Sequence, residues 1–162
     1  MKFLSLLFLL ATTCCLTAQS PVVKMLAYSR GTYAGIPSGP GTPNNPFPVK
    51  YLIYVVVRKG TPISVDSVCL KGDAYSATLQ KVSSPVVVPH DVNVPSATTD
   101  TLVPKTSDDV YQVDVEEKGP ACADRAKELA QQNEAVLSLK SGNAMLYASA
   151  KTIVALPAAA AP

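Results

Sequence analysis

At 162 residues and a net charge of +2, the chain has the length of one domain and no cationic excess. Its three arginines, Arg30, Arg58 and Arg125, lie far apart in sequence; neutralising phosphates takes clustered cations, so no nucleic-acid partner is expected. Fourteen prolines and no tryptophan point to short elements joined by loops, not to long helices.

The first nineteen residues carry the most specific signal. Lys2 supplies a positive end, Phe3 to Leu10 form an apolar run too short to span a bilayer, and Ala18 precedes the polar start Gln19-Ser20-Pro21. That is the layout of a secretory signal peptide, and cleavage between Ala18 and Gln19 is expected. Lipid anchoring at Cys14 or Cys15 is the alternative. A lipid-attachment cysteine should follow an aliphatic residue three positions earlier and a small one directly before. Cys14 has Ala11 and Thr13 there, and Cys15 has Thr12 and Cys14, so both fit poorly. The chain is thus expected to be exported, to the periplasm, the cell surface or the medium. No later apolar run reaches spanning length, so no transmembrane segment is expected in the mature chain.

Residues 19–156 are expected to form one domain, large enough for a real core. Val22 to Tyr28 is the first candidate strand. Residues 36–48 hold five prolines with Gly39 and Gly41, a composition that bars helix and central strand and marks a long loop. In the next strand, Val49 to Arg58, Val49, Tyr51, Ile53, Val55 and Val57 share one face; Leu52, Tyr54 and Val56 share the other. It should be central and buried on both sides. Ser64 to Leu70 and Ala74 to Val82 flank Lys71-Gly72-Asp73, a hairpin signal with glycine where a positive φ is easiest, and Tyr75, Ala77 and Leu79 should point inward. Pro85 to Pro104 is broken by prolines after a short valine run and reads as edge strand and loop.

Val110 to Glu117 alternates Tyr111, Val113 and Val115 with Gln112, Asp114 and Glu116, the pattern of a strand with one wet face. Residues 121–132 place Ala126, Leu129 and Ala130 on one face of a short helix, with a single turn or a crossing strand as the alternatives. Glu134 to Leu139 and Ala144 to Val154 bracket Lys140-Ser141-Gly142-Asn143, a second hairpin signal, and Ala135, Leu137 and Leu139 share a face. Residues 157–162 have nothing to bury and are expected to be a flexible tail. About seven to nine short strands with turn signals between them predict an all-β fold, an immunoglobulin-like β-sandwich with at most one short helix. With tryptophan absent, that label is architectural.

Chemistry has few places to reside. Beyond the leader only Cys69 and Cys122 remain; in an oxidising compartment they are expected to form one disulfide, with two separate buried thiols as the alternative. The single histidine, His90, neighbours Asp91 in sequence, which would put the two on opposite faces of a strand, and no Gly-x-Ser-x-Gly elbow accompanies it; the expectation is a loop histidine and no catalytic site. One histidine and two distant cysteines do not make a zinc site. The acidic doublets Asp108-Asp109 and Glu116-Glu117 fit a turn and a strand end better than a calcium loop. The glycines at 31–41 lack the Gly-Lys-Ser/Thr ending of a phosphate cradle, so no cofactor is expected. Tyr33 and Phe47 are the large apolar side chains of the 31–48 region and its candidates for touching a partner. Asp66-Ser67-Val68 and Asp100-Thr101-Leu102 have the Asp-Ser/Thr-aliphatic form of one bacterial O-glycosylation acceptor, a short pattern that recurs by chance.

The order of Ser64-Val65-Asp66-Ser67-Val68, the Lys71-Gly72-Asp73-Ala74-Tyr75 hairpin, the closing Glu134-to-Val154 hairpin and the Ala18-Gln19 junction resembles small exported β-rich proteins of Gram-negative bacteria. The resemblance implies export and a β-rich fold and brings no function with it. The expectation is therefore a non-enzymatic structural or interaction module of the cell envelope, meeting an envelope or cell-surface protein. A small-ligand binder is the alternative, holding an apolar molecule among residues such as Tyr51, Tyr54 and Tyr147.

Overall fold

The computed structural model describes residues 20–33, 49–89, 98–119 and 121–160. Among these residues ten strands and one helix follow in the order β1 (Val22–Tyr33), β2 (Val49–Val57), β3 (Ser64–Leu70), β4 (Asp73–Val82), β5 (Val86–Pro89), β6 (Thr99–Val103), β7 (Asp109–Lys118), α1 (Asp124–Ala130), β8 (Ala135–Ser141), β9 (Ala144–Ala150) and β10 (Val154–Ala160). The fold is all-β and sandwich-like. Eight strands form one sheet in the order β10-β1-β2-β7-β4-β3-β8-β9, and β5 pairs with β6 in a separate hairpin. Strand count exceeds the sequence expectation because the Pro85–Pro104 region supplies two short strands and the chain after Ala150 supplies another.

Both expected turns form, one at Gly72 and the other at Gly142. Lys71 and Gly72 take φ of 50° and 92°, the two positive values that a tight hairpin whose twist matches its strands requires. In β2, Ile53, Val55 and Val57 are buried on one face while Tyr54 and Val56 are buried on the other, and β2 lies between β1 and β7. Over Ile53–Val57 it is the doubly buried central strand that its apolar run demands, while Val49 and Lys50 at its start are exposed.

The two ends of the eight-stranded sheet meet. β9 is one end of the strand order and β10 is the other, yet only residues 151–153 separate Ala150 from Val154. A chain covers at most about 3.6 Å per residue, so the sheet must curl until its edges lie side by side. β9 and β10 are then consecutive pieces of one path: the first pairs antiparallel with β8, the second parallel with β1, from Tyr28↔Val154 to Tyr33↔Ala160. A strand that changes partners at a bend is a usual corner of a sandwich. The expectation of a flexible tail over 157–162 is corrected for its first four residues, which belong to β10. Pro157 is tolerated because β10 is an edge strand and the ladder is irregular there, Arg30 pairing with Leu156 and Thr32 with Ala159. Arg30 Nε donates to the Pro157 carbonyl at 3.1 Å and Arg30 Nη2 to the Pro89 carbonyl at 2.7 Å, tying β10, β1 and β5 together.

Burial divides into three clusters. Inside the curl, Met25, Ile53, Val55, Val68, Val113 and Leu137 belong to the main core. On the outer face of β1, β2 and β7, Tyr54, Val56 and Val110 are covered by Leu102 and Val103 of β6, and the Tyr28 hydroxyl donates to the Leu102 carbonyl at 2.8 Å. On the outer face of β3 and β8, Cys69 and Val136 are covered by Ala126 of α1. α1 spans seven residues and lacks a side-chain N-cap, too short to persist alone. The Cys69–Cys122 disulfide, with Cα atoms 6.0 Å apart, fixes the chain just ahead of it.

Candidate functional site

The β2–β7 ladder runs from Val57↔Asp109 to Ile53↔Val113 and stops. Beyond that point both strands continue, β2 back to Val49 and β7 on to Lys118, each still paired on its far side: Val49 with Gly31 and Tyr51 with Ser29, Asp114 with Thr78 and Val115 with Ala77. The cause is local. In the β4–β7 ladder Tyr75 pairs with Lys118 and Ala77 with Val115, so Glu116 and Glu117 stand opposite Ser76 alone. An extra residue of this kind bends and twists its strand and ends pairing on the neighbouring side. Ser76 Oγ donates to the Glu117 carbonyl at 3.3 Å and holds the bulge.

Where the strands part, a cleft of about 430 Å³ opens, lined by Val49, Lys50, Tyr51, Tyr75, Asp114, Val115 and Glu116. Tyr51, Tyr75 and Val115 are the margin of the main core, so the floor is an aromatic and aliphatic surface. Val49, 52% exposed, adds an apolar lip. Lys50 stands on the β2 side and Asp114 and Glu116 on the β7 side, giving the rim a net negative charge. Asp114 Oδ1 accepts from Gln112 Nε2 at 2.7 Å. Burial raises the Tyr54 pKa, and the nearby Asp114 charge and the Tyr28 phenol raise it further.

No protein-family model, curated protein or solved structure matches this chain. The cleft therefore has to be read from its own chemistry. It offers strand edges whose backbone donors and acceptors are unmatched by sheet partners among the described residues, an aromatic floor and a charged rim. Among the described residues no group of three His, Cys, Asp or Glu side chains is placed to hold a metal, and no helix is long and apolar enough to cross a membrane.

The sequence-derived candidates are scattered by the fold. Cys69 and Cys122 are brought together. Tyr51, Tyr54 and Tyr147 are not: they pack with the interior, the β6 side and the α1 side respectively, so the three line no common cavity. Tyr33 lies at the end of β1. Phe47, His90, Cys14, Cys15, Ala18 and Gln19 fall outside the described residues. Of the two glycosylation-like patterns, Ser67 is half-buried in β3 and Thr101 is exposed on β6. Sequence reading missed the Asp114–Glu116 side of the cleft, taking both as the wet face of a strand. The available signal was the Glu116-Glu117 doublet, which interrupts the alternation where the bulge forms.

A second, smaller niche of about 230 Å³ lies on the outer face between β1 and the chain after β6. Its walls include Val23, Leu26, Val56, Val103 and Pro104, and Lys24, Lys105 and Asp108 also line it, two cations against one carboxylate.

Proposed function

We propose that this chain is an exported, non-enzymatic interaction module of the bacterial cell envelope and that it holds a partner protein in the cleft between β2 and β7. The leader at residues 1–18 supports export. The observation that carries the interaction reading is the cleft: core side chains Tyr51, Tyr75 and Val115 form its lining beside strand edges that have no sheet partner on that side among the described residues. Interfaces are built from apolar anchors within a polar rim. The test is a photo-reactive side chain placed at Tyr51 in the native host, with the same group at Lys127 on exposed α1 as control. The expected result is one envelope protein, crosslinked from the cleft position at a defined residue and absent from the control. Identical products from both positions, or none from the cleft, would overturn the reading.

The 230 Å³ niche favours a second reading, a small apolar ligand with an acidic end meeting Lys24 or Lys105. A rise in melting temperature with medium-chain fatty acids, abolished by Leu26→Lys, is its expected signature.

A further inference from the structure

Resting on that reading of the cleft, we infer that its occupant is an extended peptide segment that adds as a strand to the free edge of β2 and alternates apolar with basic side chains. Two edges border the cleft, and they are not equivalent. β7 carries the bulge at Glu116–Glu117, which breaks the regular spacing of donors and acceptors a new strand needs. β2 pairs with β1 without interruption from Val49↔Gly31 to Lys24↔Val56, so its opposite edge over Val49–Leu52 presents an unbroken ladder. Four residues of extended chain span roughly 13 Å, so the matching segment is short. Main-chain hydrogen bonds would supply its affinity and alternate side chains its selectivity.

Side-chain alternation then dictates the sequence type. Residues pointing inward meet Tyr51, Tyr75 and Val115 and must be apolar. Residues pointing outward stand between Lys50 on one lip and Asp114 and Glu116 on the other. Two carboxylates against one ammonium select a cation there, and an acidic residue would meet like charge across the gap. None of the three is joined to another in an ion pair among the described residues. The rim charge is thus available to a ligand.

The probe is a capped hexapeptide of alternating valine and lysine, titrated into the isotope-labelled mature chain. Its valine–glutamate counterpart and a valine–lysine version N-methylated at every second residue serve as comparisons. The lysine peptide is expected to shift the amide signals of Val49–Leu52 and slow their exchange, and to bind about tenfold tighter than the glutamate peptide. The N-methylated peptide, deprived of half its donors, should not bind. Asp114→Asn with Glu116→Gln should reverse the lysine-to-glutamate preference, because Lys50 then stands alone on the rim, and Lys50→Gln, read from the opposite lip, should widen it. Equal binding of both charge types at the same amides overturns the basic-segment inference and leaves the cleft reading standing. Equal binding of the N-methylated peptide overturns strand addition. Silence of the cleft amides with every peptide overturns this inference, and the Tyr51 crosslink then decides the broader reading on its own.

Discussion

Asp109 shows how much one carboxylate can hold in place. It ends the β2–β7 ladder opposite Val57, accepts a charged hydrogen bond from Lys81 Nζ at 2.8 Å and takes the Gly60 N–H at 3.0 Å. β4, β7 and the turn after β2 are thereby joined at one side chain. The Lys81 bond, then the Gly60 amide, holds its pKa below the ordinary carboxylate value. A depressed carboxylate stabilises the fold above its unfolded pKa, and that contribution is lost as pH falls through the folded one. The urea midpoint of the native chain is therefore expected to drop below pH 4 more steeply than that of Asp109→Asn, which should already be lower at pH 7. Sequence showed Asp108-Asp109 as a solvated turn. The doublet was visible, but its partner Lys81 is distant in sequence and only the strand register brings the two together. Core positions were easier to read. Leu137, fully buried in β8, is on the face that alternation assigned it, and Leu137→Ala should cost about 2–5 kcal/mol in denaturant unfolding.

Elements were legible in proportion to the apolar pattern they carry. β3 matches its expected bounds of Ser64 and Leu70, and α1 falls within the expected stretch, since each displays one face to a core and lies near clear turn residues. β9 and β10 did not separate. Ala144 to Val154 reads as one arm, yet inward positions pass from Ala148 and Ala150 to Ile153, a change of parity that marks the bend. α1 itself depends on what surrounds it. Replacing Cys69 and Cys122 by serine removes a crosslink between residues 53 apart, a loop whose closure is valued at about 4 kcal/mol at most in the chain-entropy account. The expected outcome is a lower unfolding midpoint, with amide exchange accelerated first in Asp124–Ala130 and only later in β1 and β2.

At the scale of the whole molecule, closure rests on a segment of low sequence information. β10 contributes Leu156 to the outer cluster, but Pro157 to Ala160 has no large side chain. Its ordering comes from backbone pairing with β1 and from the Arg30 guanidinium. Composition reports burial and not hydrogen bonding, which is why those residues read as a tail. Truncation after Ile153 is expected to leave β1 paired with β2 alone from Tyr28 onward, lower the midpoint, and speed exchange in residues 28–33 ahead of β3 and β8. Unchanged exchange there would mean that β10 contributes nothing to closure. The cleft between β2 and β7 was barely legible in sequence, because it arises from where a ladder stops and only the Glu116-Glu117 doublet hints at it.

The pairing of β1 with β10 also sets an order of events. The first strand of the chain takes its outer neighbour from the last, with nearly the whole domain threaded between them. Contacts so distant along the chain form late. A polypeptide made amino end first has to wait for β10 before the curl can shut. Until then the outer edge of the leading strand stays open to extension, available to any other strand that can pair with it.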